Sequence, residues 1–306
     1  MNWSGVMPAM TTAFHPDFSV DYVTVARHAK WLIENGCTGI VCLGSLGEAA
    51  TLTFQEKVGV LKAVVTELKG KAPVVSAISA LSTAEAVELA RAAHQAGCSG
   101  LMILPPYVYK GDWHENKAHV AAILGATPLP GMLYNNPVAY GTDFLPEQIA
   151  EFAAEFSNFA AVKESSTDVR RVTAIRALLG DRLAIFVGVD DAIVEGIAAG
   201  AVGWIAGLVN ALPRESVDLF NFARAGKREE AFALYRWFLP LLRMDTVPKF
   251  IQLIKQVQLE AGVGSSRVRA PRLEVEGREL AETREAFRFA QANRPSVAVA
   301  STRFTA

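Results

Sequence analysis

The sequence predicts a (βα)8 barrel with a C-terminal helical extension. Short β-rich runs alternate with segments of helical period, and each pair fills about 30 residues, the length of a βαβ step. The runs are continuously apolar, as parallel strands covered on the outside by helices must be. Eight occur in order, at residues 5–13, 39–45, 73–80, 100–106, 130–136, 159–165, 183–189 and 203–208. No GxGxxG turn follows the first, which favours a closed barrel over a doubly wound open sheet.

The segments between the runs carry helix signals. Val25, Ala29, Leu32 and Ile33 fall on one face, with Arg27, Lys30 and Glu34 turned away. Thr53 with Glu56, and Ser82 with Glu85, have the spacing of capping boxes, in which a hydroxyl and a carboxyl satisfy free backbone N–H groups. Gly36, Gly70, Gly97, Gly180 and Gly200 stand at helix ends, each just before the next run. Residues 213–292 read as several helices, more than one barrel helix requires. Trp237, Phe238, Leu241 and Leu242 give that region an apolar face suited to a helical subdomain or an oligomer contact. The expected division is a barrel over 1–226, a helical extension packed on it over 227–292, and a disordered tail over 293–306.

With 306 residues, 51% of them hydrophobic, the chain can bury a large core in one domain. The 30 basic and 31 acidic side chains nearly cancel and form no long run, which argues against nucleic acid or a membrane surface as partner. A small molecule is the expected ligand. Cys37, Cys42 and Cys98 are odd in number and sit among apolar residues, so they read as reduced core side chains. No CxxC pair suggests a metal. The first residues lack a basic segment followed by a long apolar stretch, and no window reaches ~18 apolar residues, so a cytoplasmic protein is expected.

Barrel enzymes work at the carboxyl ends of their strands. There the sequence places Gly44-Ser45-Leu46-Gly47-Glu48, Pro105-Pro106-Tyr107-Val108-Tyr109, Tyr134-Asn135-Asn136-Pro137, Val162-Lys163-Glu164-Ser165-Ser166 and Gly188-Val189-Asp190-Asp191. Lys163 interrupts an apolar strand, where a long cation is costly to bury. It is either a desolvated amine, able to attack a carbonyl, or a structural cation paired with Glu164 or Glu48. Tyr134 ends the neighbouring strand and is a candidate proton carrier, although a phenol pKa near ~10 needs a partner at neutral pH. Ser45 lies in a glycine-flanked turn whose amides suit a carboxylate. His15, His28, His94, His114 and His119 form no ligand pattern and read as surface or loop residues. Asp190 and Asp191 suit a divalent ion or, more commonly, the cap of the next helix; no metal or cofactor is expected.

Taken together, GSLGE at 44–48, LYNNP at 133–137 and AVKESS at 161–166 resemble the dihydrodipicolinate synthase and N-acetylneuraminate lyase family over roughly residues 3–290. The resemblance implies a lyase of the class I type, in which Lys163 forms a Schiff base with pyruvate or another 2-oxo acid. It implies Tyr134 as proton shuttle, Ser45 as the hydroxyl that orients it, and the amides of Ser45 and Leu46 as holders of the substrate carboxylate. Gly44, Leu46, Gly47, Asn136, Ala139, Gly188 and Ile205 would line the substrate site. It further implies a homo-oligomer, a tetramer built as a dimer of dimers.

The sequence departs from the synthases at three places. Ala139 stands where they carry an arginine that grips the second substrate's carboxylate. Ser45 and Leu46 replace the two threonines of the GTTGE turn. Val108 replaces the tyrosine lent across the dimer, and Tyr109, the possible substitute, points to the other side if the segment is extended. The GS-apolar-G turn, the loop without arginine and Asn210-Ala211-Leu212-Pro213-Arg214-Glu215 resemble the branch containing 1-pyrroline-4-hydroxy-2-carboxylate deaminases of hydroxyproline breakdown. The alternatives are 4-hydroxy-tetrahydrodipicolinate synthase, a 2-oxo sugar acid aldolase or dehydratase aided by Asn136, Tyr140 and Asp190, and a non-catalytic 2-oxo acid sensor.

Overall fold

The computed structural model describes residues 1–297, 299 and 301–304. All eight expected strands form: β1 Gly5–Pro8, β2 Ile40–Cys42, β3 Val74–Ile78, β4 Gly100–Ile103, β5 Gly131–Asn135, β6 Phe159–Glu164, β7 Ala184–Val187 and β8 Gly203–Ala206. They pair in parallel in the order β1-β8-β7-β6-β5-β4-β3-β2. A bridge between Ala9 and Val41, with the Met10 N–H donating to the Val41 carbonyl at 2.9 Å, brings β1 to β2 and closes the barrel. Each strand stops before its apolar run does. After β2, for example, Leu43 and Glu48 adopt φ of +65° and +57°, which no strand tolerates. The residues so released form the loops at the carboxyl end.

The amino end of the barrel is plugged. Phe186 in β7 is in register with Lys163 in β6 and Gly203 in β8. Its ring fills the place of a Gly203 side chain, whose Cβ would lie 2.2 Å from Phe186 Cε1, and meets Trp3 edge to face at 6.3 Å. The aromatic floor leaves only the carboxyl end open to a ligand.

Beyond β8 lie four longer helices, Pro213–Arg224, Arg228–Leu242, Phe250–Glu260 and Gly277–Ala292. Trp237, Phe238, Leu241 and Leu242 are buried within the chain, and the Trp237 indole donates to the Ala290 carbonyl at 2.9 Å. Their apolar face is thus covered by the extension's own last helix and the barrel. Of the tail, residues 298, 300, 305 and 306 lie outside the described residues, so the expectation of disorder is not addressed there. Described tail residues make defined contacts: Thr302 N–H donates to Asn35 Oδ1 at 2.8 Å, and Phe304 packs edge-on against Trp31 at 5.6 Å.

Two histidines correct the sequence reading. His28 is buried, stacked on Trp31, with Nε2 2.9 Å from the Asn210 carbonyl, and desolvation lowers its pKa to about 4. His119 is buried with Nδ1 2.9 Å from Thr83 Oγ1. Each sits on the inner face of a helix and has hydrogen-bonding partners there, His119 also reaching the Leu104 backbone, which makes a neutral imidazole acceptable in the core. The three cysteines are free and buried, and burial pushes the Cys98 thiol up to about 12. Among the described residues, no helix is long and apolar enough to cross a membrane.

The extension is fastened to the barrel by a buried ion pair. Lys255 Nζ lies 2.9 Å from Glu48 Oε1 and also donates to the Thr12 carbonyl at 2.9 Å. Glu48 Oε2 accepts from the Arg269 N–H at 2.9 Å. Removing one member leaves an uncompensated buried charge, at a cost of about 3–5 kcal/mol. Lys255→Met is expected to lose that much stability in urea unfolding, and Lys255→Met with Glu48→Gln to regain part of it. A single variant as stable as the parent would show that the pair fastens nothing.

Candidate active site

Lys163 stands near the carboxyl end of β6, in register with Tyr134 on β5. Its side chain is buried, with Nζ 3.9 Å from the centroid of the Tyr134 ring. The structural alternative for this lysine fails. Glu164 is occupied by the Asn135 amide at 3.0 Å and the Ser166 N–H at 2.6 Å, and Glu48 is paired with Lys255. Among the described residues Lys163 has no ion-pair partner. Burial therefore lowers its pKa, opposed in part by the charges of Asp245, Tyr140 and Asp190. The population of neutral, nucleophilic amine rises accordingly.

Space for this side chain comes from Gly188, just after β7. A Cβ there would lie 2.0 Å from Ser165 Oγ, 2.5 Å from Lys163 Cε and 2.8 Å from Lys163 Cγ. Ser165 is buried, and its hydroxyl has no hydrogen-bond partner. It thus faces the lysine stem with its bonding capacity free. Ile205, buried in β8, lies two residues beyond Gly203 on the same inward face.

Tyr134 and the 44–48 turn meet through a third residue. Asn136 caps the single-turn helix Pro137–Tyr140, its Oδ1 accepting from the Ala139 N–H at 3.0 Å. The same amide donates through Nδ2 to the Tyr134 hydroxyl at 3.0 Å. This turn folds Tyr140 back into the mouth, its ring edge-on to Tyr134 at 5.7 Å. Ser45 Oγ hydrogen-bonds the Tyr140 hydroxyl, a correction to the expectation that it orients Tyr134 directly. The ring of Tyr140 occupies the intervening space. Asn136, expected to bind substrate, has both ends of its amide engaged. Tyr109 points away from this chain's own lysine loop: it is 59% exposed and donates to Glu115 at 2.9 Å.

The turn itself is tightly built. A Cβ on Gly47 would lie 2.9 Å from the Met10 carbonyl oxygen, while Gly44 has room, its nearest neighbour being Met102 Cε at 3.7 Å. Leu46 is buried. Neither the Ser45 nor the Leu46 N–H donates to another described residue, leaving two amides for an anion.

On the opposite side stand two acids. Asp190 is fully buried and accepts from the Trp204 indole at 3.0 Å, from the Gly207 N–H at 3.0 Å and from the Leu208 N–H at 2.8 Å. It therefore holds the turn after β8 and caps nothing on its own element. Burial raises its pKa to about 6 despite these donors. Asp245, in the 3-10 turn Arg243–Thr246, was not foreseen. Its Oδ1 would lie 2.5 Å from a Cβ on Gly207, and burial and the Asp190 charge raise its pKa well above the carboxylate range. No local pattern marks it, since it arrives from the helical extension. Ala139 and Val138 are exposed at the rim, and the nearby Arg171 is held by Asp143 at 2.7 and 2.6 Å. The expectation from this geometry is that Gly188→Ala displaces the lysine by about 1 Å. Borohydride trapping of a 2-oxo acid on Lys163 should slow by about 100-fold with the fold retained; trapping at the parent rate would refute the crowding.

Comparison with known proteins agrees with this arrangement. The Dihydrodipicolinate synthetase family profile matches residues 2–289. A 4-hydroxy-tetrahydrodipicolinate synthase of Alkalilimnicola ehrlichii is 33% identical over 291 residues, 94% of this chain and 98% of the relative. The solved dihydrodipicolinate synthase of Bacillus anthracis superposes with a TM-score of 0.87 at 27% identity, covering 94% of this chain and 98% of that one. That of Aquifex aeolicus gives 0.89 at 25% identity, covering 93% and 97%. The chain belongs to the dihydrodipicolinate synthetase family and is a class I enzyme of the lyase and aldolase type.

Proposed function

We propose that the chain is a Schiff-base lyase acting on a compact cyclic imine carboxylate, 1-pyrroline-4-hydroxy-2-carboxylate, which it deaminates. The observation that carries this reading is the lining of the mouth, which has acid and apolar side chains and no guanidinium at position 139. Asp190 and Asp245 flank Lys163, Ala139 and Val138 form the rim, and Arg171 is spent on Asp143. A substrate with one carboxylate fits, held by the amides of Ser45 and Leu46, with a basic nitrogen near the acids. A second carboxylate would find an alanine, not a guanidinium, at position 139; the cation beside that loop is Lys110, packed at Gly141.

In this scheme the neutral Lys163 amine adds to C2 of the ring imine, and the ring nitrogen leaves as an amine after gaining a proton. The resulting Lys163 imine draws electrons from C3. Loss of a C3 proton and departure of the C4 hydroxyl as water leave a conjugated imine. Loss of one proton from C5 and one from the terminal amine, with protonation at C3 and C4, moves the double bond to C5=N and converts the terminal amine into an imine. Hydrolysis there releases ammonia, and hydrolysis at Lys163 releases 2,5-dioxopentanoate. One water is lost and two are taken up. Tyr134 moves protons at C2 and at the departing groups; burial raises its phenol to about 12, so it acts as a donor at neutral pH. We also propose that the enzyme assembles as a homotetramer.

A second reading, 4-hydroxy-tetrahydrodipicolinate synthase, is favoured by the names of the relatives at about one-third identity. It joins pyruvate to an aldehyde that carries a second carboxylate. Sodium borohydride, peptide mapping and an ammonia assay separate the two. The deaminase reading expects an adduct on Lys163 and ammonia from the pyrroline. Pyruvate trapping with condensation and no ammonia would replace it with the synthase, and binding without turnover would leave a sensor. Lys163→Ala is expected to abolish activity, and Tyr134→Phe to lower it by about 10²- to 10⁴-fold with the fold intact.

The pH dependence follows from the direction of the lysine shift. Only the neutral amine attacks, so the trapping rate rises with pH through the Lys163 pKa. Because that pKa lies below 10.5, the plateau should be reached at lower pH than for an exposed lysine. A rate still rising in parallel with free lysine up to its ordinary pKa would contradict the desolvated amine.

A further inference from the structure

We propose that Tyr140 is the relay residue that reprotonates Tyr134, and that it serves the site of its own subunit. The inference rests on Lys163 as the imine-forming residue but not on the identity of the substrate. Tyr134 is only 6% exposed and is cut off from bulk water, whereas Tyr140 and Ser45 are half-buried at the mouth. Once Tyr134 has given up its proton it is a strongly basic phenolate, its pKa near 12, and needs a donor at hand. Tyr140 stands edge-on to it, and the Tyr140 hydroxyl is hydrogen-bonded to Ser45 Oγ. The three hydroxyls thus run from the lysine to the solvent edge.

The step balances. As the carbinolamine on Lys163 collapses, its C–O bond breaks and the nitrogen lone pair forms C=N. The leaving oxygen takes the Tyr134 proton. Tyr134 takes the proton of Tyr140, Tyr140 that of Ser45, and Ser45 one from water at the mouth. Each oxygen gives one proton and receives one. The reverse passage serves hydrolysis of the imine.

Two further observations assign this part to Tyr140 of the same chain. In the loop after β4, Val108 is 75% exposed and apolar, Tyr109 is held by Glu115, and the Tyr107 ring packs against Tyr140 of its own chain at 6.1 Å. The helix that carries Tyr140 is tied to its own site, because Asn136 caps it and bonds Tyr134 with one amide. Gly141 closes that helix at φ +71°, in the left-handed region that favours glycine.

The test uses the full-length protein, with pyruvate as probe and single-turnover borohydride trapping as readout. Tyr140→Phe keeps the ring and its packing; it should slow imine formation by about 10- to 100-fold, with KM nearly unchanged and thermal unfolding unaltered. Ser45→Ala should give a similar loss, Ser45→Thr should restore the rate, and Tyr140→Phe with Ser45→Ala should be no worse than either alone, as members of one chain act as a unit. Unchanged trapping by Tyr140→Phe, or additive losses, would overturn the relay. Mixing Lys163→Ala with Tyr140→Phe subunits should restore nothing; recovery of activity in the mixture would show that Tyr140 serves a neighbour's site. Trapping on Lys163 without ammonia from the pyrroline removes the substrate reading alone, and no adduct on Lys163 in the parent protein removes both.

Discussion

The burial of Lys163 without a counter-ion is the constraint around which the site is arranged. The same chain buries a second lysine, Lys255, and treats it differently: Lys255 meets Glu48 at 2.9 Å and a carbonyl oxygen besides. A lysine placed only to hold the fold is paired. Lys163 instead faces an aromatic ring and makes no ion pair among the described residues, although Asp245 and Asp190 act on it from a distance. Taking a cation out of water without a partner costs several kcal/mol, and the group relieves the cost by losing its proton. Burial therefore shifts the lysine toward the neutral amine that chemistry requires.

That constraint makes demands on the surrounding backbone. Gly188 must remain glycine for the lysine stem to pass, and Phe186 and Trp3 must close the barrel below it so that the amine faces the mouth. Asp190 keeps the turn after β8 in place through three N–H donors, and from there it offsets part of the lysine's desolvation. The helical extension contributes more than bulk. It delivers Asp245 to the mouth, and the hydroxyl of Tyr235 reaches the Asp191 carbonyl beside it. Packing of the extension and charge at the amine are thus coupled, so a change in one is felt at the other.

The barrel was legible because apolar runs at a regular spacing report burial directly, and all eight were found. Their carboxyl ends were less so, since the last residues of each run leave the ladder to build loops. Lys163 was visible as a charge inside an apolar strand, and Gly44 to Gly47 as a turn. Asp245 was invisible: its neighbours in sequence say nothing of Gly207, and only the path of the extension unites them. His28 and His119 were misread because a buried imidazole needs only one partner, which for His28 is a carbonyl far along the chain. The partner of Ser45 was misassigned for a related reason, as resemblance carries positions across but not the direction in which a short loop turns.

That loop sets two features of the mouth together. Residue 139 is an alanine at the rim and residue 140 a tyrosine inside it, both set by one helical turn whose first amide is also bonded to Tyr134. A side chain long enough to reach inward from position 139 would meet the space that the Tyr140 ring already fills against Tyr107 and Tyr134. The alanine at 139 and the phenol at 140 are therefore positioned by the same turn. An arginine placed at Ala139 would share the mouth with the Tyr140 ring, and removing the phenol alone would leave an alanine at position 139. On this geometry, conversion toward a substrate with a second carboxylate requires both positions to change at once, and Val108 to become a hydroxyl donor if the proton path is to survive the exchange.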